Sequence, residues 1–285
     1  MKRYYHEEEK RQENFYSDMA LERQRADISR EGVEYRAYEG VSGIWECVKI
    51  TSPEGEKSIG RPCGLYDTLN TGRMELMNFD EIEDAKEDVS RKLCELFDSV
   101  NVLPERLLIV GLGNPSLTPD SIGPQSASFV TPTLHIKEFD GRMFENLECS
   151  EIAVITPNVS ANSGMDALYV IKGVSDIIKP TAVIAIDAVA TSSVDRLGST
   201  IQFSTTGIFP GSGVGNYKQG ITYESIGIPV FSIGVPTVID ARSFCENEKR
   251  ADGLIVAPKE IDEIASVASK IIGGGINQAF GISPL

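Results

Sequence analysis

Histidine is almost missing from this chain: two occur in 285 residues, His6 and His135. A Ser-His-Asp or Cys-His site would have to recruit His135, because His6 lies in a very polar stretch. No serine stands in a G-x-S-x-G elbow, and Ser212 in Pro-Gly-Ser-Gly-Val-Gly comes close to that spacing without matching it. A zinc peptidase usually recruits at least one imidazole, so the scarcity weighs against that class too. The five cysteines (Cys47, Cys63, Cys94, Cys149, Cys245) are odd in number, widely spaced and form no C-x-x-C pair. Neither a disulfide framework nor a zinc cluster is indicated, and a reducing cytosol is the simplest setting. No apolar run reaches the roughly 18 to 20 residues that span a bilayer, and the charged start Met1–Lys10 has no signal-peptide core. Basic residues are also short: 27 Lys and Arg against 42 Asp and Glu give a net charge of −15. Such a surface repels phosphate backbones and anionic membranes, so no direct nucleic-acid or membrane partner is expected.

What the chain does have is 41% apolar residues, enough for the core of one main domain. Residues 1 to about 14 have the composition of a solvated tail. Ile82, Ala85, Val89, Leu93, Leu96 and Phe97 recur at helical spacing over Asp80 to Asp98, with acids in the first turn. A second helix is expected from Ser163 to Ile178, its stripe formed by Met165, Leu168, Ile171, Val174 and Ile178 and its end set by Pro180. A third begins after Pro258. Between them, strands are expected at 107–112, 151–157, 181–187, 199–204 and 229–234. Strands alternating with helices predict an α/β fold with a mostly parallel sheet covered on both faces. Residues 36–75, rich in Gly and in β-prone runs such as Ile44–Ile50, are predicted to add a hairpin.

Two of these strands lead to an acid. Leu107–Asn114 runs into Thr118-Pro-Asp120, and Thr181–Asp187 stops on Asp187. Ligands bind at the carboxyl ends of strands in open α/β sheets, which makes Asp120 and Asp187 the first candidates for chemistry. Each has a bland alternative: Asp120 as a helix cap, Asp187 as a buried carboxylate bonded to loop amides. As neighbours they would resist joint ionisation and supply a base and an acid for one water. Asp240, after another strand, is a support candidate with a stronger claim to a structural role. Gly111-Leu-Gly113-Asn114 is a weak dinucleotide signal, since Ser116 stands where the third glycine belongs. The run Phe209–Asn216, with Gly211, Gly213 and Gly215, is either an anion cradle or a set of tight turns.

Several blocks together resemble the germination proteases of spore-forming bacteria. They are Gly111–Asn114 with Thr118–Pro124, Lys179–Ala188, Thr200–Gln202 with Thr206–Ile208, Pro210–Asn216, Gly227–Val230, Gly234–Ala241 and Ala257–Asp262. The resemblance runs over most of the chain. It implies a three-layer αβα fold of the hydrogenase-maturation-protease type, and an endopeptidase of small acid-soluble spore proteins. It also implies a cytoplasmic setting in the forespore and spore core, a homotetramer, and two aspartates working without metal or other cofactor. Those aspartates map onto Asp120 and Asp187, with Asp240, His135, Asn114 and the three glycines as possible support. Ser17–Glu22 resembles the start of a mature enzyme, which makes residues 1–14 a propeptide removed by self-processing and 15–285 a single peptidase domain. The chain departs from the family pattern at Leu134, Asn158, Thr205 and Tyr217, and is shortened between Asp240 and Leu254. Two other readings stand beside this one. One is a metal-dependent, hydrogenase-maturation-type endopeptidase using both acids and His135; the other is a non-catalytic relative that binds spore proteins.

Overall fold

The computed structural model describes residues 17–23, 30–210, 219–243, 251 and 254–282. Its strands are β1 (Val33–Glu39), β2 (Ile44–Ile50), β3 (Gly64–Asn70), β4 (Arg106–Gly111), β5 (Glu151–Ile155), β6 (Ala182–Thr191), β7 (Thr200–Ser204), β8 (Val230–Asp240) and β9 (Ile255–Val256). The principal helices are α1 (Phe79–Ser99), α2 (Ile122–Ser128), α3 (Ala167–Ile178) and α4 (Ile261–Ala279). One sheet carries all the strands in the order β1-β2-β3-β7-β8-β6-β4-β5, with β9 paired to β8. The segment β8-β6-β4-β5 is parallel. From β8 outward through β7, β3, β2 and β1 every pairing is antiparallel.

The parallel strands read as unbroken apolar runs because each face lies under helices. Leu107, Ile109, Ala182, Ile184 and Ile186 pack on the side of α1 and α4. Leu108, Val110, Val183 and Ala185 point the other way, into a cluster with Ile171 of α3. This period-2 alternation makes the three layers of the α/β sandwich. α1 starts where its sequence dictates: Asn78 accepts the Glu81 amide while the Glu81 carboxylate accepts the Asn78 amide, a reciprocal capping box.

Two expected boundaries moved. The strand carrying Asp187 does not stop there but continues to Thr191, because β8 runs beside it as far as Asp240 and keeps supplying ladder partners. α3 begins at Ala167 rather than Ser163, since Gly164 in a left-handed turn closes a separate helical turn at Ser160–Ser163 and Asp166 then caps the new helix. Met165 falls in the gap between them, exposed and outside the stripe. Residues 33–50 form an antiparallel hairpin, and a short helix (Pro53–Ile59) leads to β3, which joins this extension to the central sheet through β7. No helix among the described residues is long and apolar enough to cross a membrane.

Candidate active site

β4 ends at Gly111, and the Leu112 amide makes a bond from beyond the strand, to the Ile186 carbonyl at 2.8 Å. The chain then turns back through Gly113, at φ 113°, where a Cβ would lie 2.0 Å from the Asp120 carbonyl oxygen. Only glycine lets the turn close this tightly. Asp120 ends the 3-10 turn Thr118–Asp120, and its Oδ2 accepts the Asn114 amide at 2.8 Å. The acid therefore ties down the loop before it. It does not cap α2, whose N-cap is Ser121 without a side-chain bond, so the capping alternative is corrected. The fully buried Thr237 of β8 donates to the Pro119 carbonyl at 2.6 Å and fixes this turn against the sheet.

Asp187 lies one residue past Ile186, the last β6 residue to pair with β4. Its side chain is 5% exposed, and its Oδ1 accepts the Ala188 amide at 2.9 Å. Across the ladder it faces Gly234, where a Cβ would meet Val189 Cγ1 at 2.8 Å. Gly234 thus leaves the room that seats Val189 beside the acid.

Asp120 and Asp187 line the same cleft, of about 630 Å³, at the carboxyl ends of β4 and β6. Asp18 and Asp166 line it as well, and among its described lining residues there is no Lys, Arg or His. The Asn114 side chain accepts from the Ser116 amide at 3.0 Å and from Asn162 Nδ2 at 3.2 Å, bracing the rim. Gly211, Gly213 and Gly215 fall outside the described residues, but Pro210 and Gln219 on either side of that loop line the cleft.

The other two named candidates lie elsewhere. Asp240 ends β8 in a fork with Arg242, whose Nε donates at 3.0 and 2.9 Å to the two carboxylate oxygens. Burial opposes its charge, but the hydrogen bonds and positive charge of Arg242 hold its carboxyl below the usual carboxylate range. His135 is exposed on the helix Leu134–Phe139, just after Thr133, which is bonded to Ser150 and Ile152 at the start of β5. The acids lie toward the opposite, carboxyl ends of the parallel strands, so a ligand set of both acids with His135 is not assembled. No group of three or more His, Cys, Asp or Glu placed to hold a metal ion is found among the described residues.

Asn158 shows how a departure from the family pattern is accommodated. It lines the cleft at φ 65°, a left-handed conformation that asparagine tolerates better than other side chains. Sequence reasoning passed over Asp18 and Asp166 as site residues. Asp166 had a visible local signal as the cap of α3, accepting the Leu168 amide at 2.9 Å. Asp18 had none, since its partner Ala190 is 172 positions away.

Comparison with known proteins places this geometry in a familiar setting. A family model described as germination protease matches residues 9–249. A germination protease of Caldanaerobacter subterraneus subsp. tengcongensis is 35% identical over 92% of this chain and 93% of its own length. One from Clostridium perfringens is 32% identical over 93% of this chain and 95% of its own. One from Priestia megaterium is 36% identical over 79% of this chain and 62% of its own. Among solved structures, a nickel–iron hydrogenase maturation protease from Thermococcus kodakarensis is a distant likeness. It shares 15% identity and a TM-score of 0.34, over 64% of this chain and 98% of its own.

Proposed function

The chain belongs to the germination protease family, and from that premise we propose that it is an endopeptidase whose Asp120 and Asp187 jointly activate a water. The observation that carries this reading is their convergence: two carboxylates from neighbouring parallel strands line one cleft at the sheet's carboxyl edge. One carboxylate, ionised, takes the proton of the water; the other, protonated, polarises the scissile carbonyl and later delivers a proton to the leaving amine. Two carboxylates facing one cleft favour one proton shared by the pair, and a coupled pair titrates as a unit. The Gly211–Asn216 loop, entered and left at the cleft wall, is the proposed source of backbone amides for the oxyanion. The substrates proposed are small acid-soluble spore proteins. The proposed zymogen loses a propeptide within residues 1–14 by self-cleavage, and the proposed active form is a homotetramer.

Asp120→Asn and Asp187→Asn test the pair. Each should lower cleavage of an acid-soluble spore protein by about 10²- to 10⁴-fold or more, the span of general acid–base catalysis, with the far-UV spectrum and melting cooperativity of the parent. Parent-level cleavage by either variant rules the mechanism out. Cleavage that persists in both the parent and a metal-stripped sample, and is lost in the variants, separates it from metal-dependent hydrolysis.

A further inference from the structure

β6 does not pair evenly with β8. The register is direct from Val183 through Val189, opposite Pro236, and then slips so that Ala190 faces Val238. The slip comes three residues after Asp187. The extra residue, Thr237, lies on β8, and a bulge of this kind re-aims the strands around it. On the β6 side of this irregularity, Ala190 is gripped by a distant piece of chain. The Ala190 amide donates to Asp18 Oδ2 at 3.0 Å, and the Asp18 amide donates to the Ala190 carbonyl at 3.0 Å.

Asp18 is itself held firmly. Gln202 of β7 accepts the Ala20 amide at 3.1 Å and donates to the Asp18 carbonyl at 3.4 Å. Arg61 donates to the Ser17 carbonyl at 2.8 Å and stands 3.7 Å from the Asp18 carboxylate. Two residues past Ala190, the Glu22 carboxylate accepts the Ser192 amide at 2.8 Å and its hydroxyl at 2.6 Å. Met19 and Ala20 are fully buried. The stretch Ser17–Glu22 is therefore built into the wall of the site, and Asp18 lines the same cleft as Asp120 and Asp187.

We propose that Asp18 is a positioning residue of the active site: by holding Ala190 where the β6–β8 register shifts it sets the direction of the strand that carries Asp187. The inference rests on the aspartate-pair reading and adds a residue that acts through Asp187 rather than on the substrate. It also bounds the removable N-terminal segment, which must end before Ser17 if the clamp is to survive in the processed enzyme.

Three variants in the full chain, assayed under conditions in which the parent cleaves, test it. Asp18→Ala should lower kcat by about 10- to 100-fold, the scale expected when a reacting group is displaced by a fraction of an ångström to an ångström, while KM stays within about twofold. Asp18→Asn, which keeps an oxygen for the Ala190 amide at the same reach, should recover at least about tenfold of that kcat loss. Asp18→Glu, longer by a methylene, should remain low. If Asp18→Ala does not fold, a higher kcat in Asp18→Asn than in Asp18→Glu carries the test, and equal values overturn it. Parent-level kcat in Asp18→Ala, or a loss that merely tracks the folded fraction, also overturns it. Asp120→Asn and Asp187→Asn run alongside: activity in either defeats the aspartate pair, whereas two dead variants beside an unaffected Asp18→Ala defeat the clamp alone.

Discussion

Two regions of this sheet bury acidic side chains and treat them in opposite ways. In the antiparallel half, Asp67 and Lys92 are 3% and 2% exposed and joined at 2.9 Å, and Lys92 also meets Glu95 at 2.7 Å and the Tyr38 hydroxyl at 2.8 Å. Its ammonium lies 4.5 Å from the Trp45 ring centre. Burial opposes that charge, yet Asp67, Glu95 and Tyr38 outweigh it and hold the lysine above its usual range. Asp88 nearby accepts the Val41 and Ser42 amides at 3.1 and 2.7 Å. Every charge there has a matched partner of opposite sign or a set of donors, which makes the cluster a rivet between α1 and the β1–β3 extension. At the carboxyl edge of the parallel half, four aspartates line one cleft: Asp18 has Arg61 3.7 Å away, Asp120 and Asp187 accept the Asn114 and Ala188 amides, and Asp166 caps α3. A carboxylate locked in a buried ion pair is chemically quiet, whereas carboxylates that face one cleft can exchange a proton with a bound water.

The contrast can be broken from either side. Lys92→Met should cost about 3 to 5 kcal/mol of stability, because it strands a buried carboxylate, and should leave cleavage per folded molecule near the parent value. Chemical denaturation with a parallel activity assay reads both. Adding Asp67→Leu should return most of the loss, since a pair replaced by apolar groups is often neutral; a double variant as unstable as the single one would contradict the rivet. On the cleft side, Gly113→Ala should act the other way and lower kcat by about 10²-fold, because its Cβ would press on the Asp120 carbonyl from 2.0 Å. A Gly113→Ala enzyme with parent kcat would show that the position of Asp120 is not critical.

Two smaller effects sharpen the same line. The folded-state pKa of Asp240 is depressed by Arg242, so its contribution to stability is present above the unfolded value of about 4 and is lost as pH falls through the lower folded value. Arg242→Met should flatten the stability profile below about pH 4 while leaving catalysis intact; an unchanged acid limb would refute the assignment. Asn158→Ala places an alanine at φ 65° and should cost about 1 to 2 kcal/mol. Asn158→Gly should be close to neutral in melting experiments, and an Asn158→Ala protein as stable as the parent would remove the left-handed strain from the account.

Much of this was legible along the chain. The α1 stripe, the apolar parallel strands and the two acid-bearing blocks are local patterns, set by side-chain period and by the turn residues Gly113 and Pro119. Asp120 could be singled out because its neighbours in sequence are also its neighbours in space. Asp187 was found for a reason that proved incomplete: it does not end its strand, and it borders the cleft because β4 stops one rung earlier while β8 carries on beside β6. His135 looked available only because separation in sequence says nothing about which end of a sheet a residue occupies.

By itself the sequence determined most of the elements, the family and the two acid-bearing blocks, since these depend on residue type at short spacing. Tertiary structure alone decided that His135 stands at the far end of the parallel strands and that Asp18 holds Ala190 where the β6–β8 register shifts. Those outcomes rest on register between strands distant along the chain, and hydrogen bonds across such separations leave no periodic trace in the residues that make them.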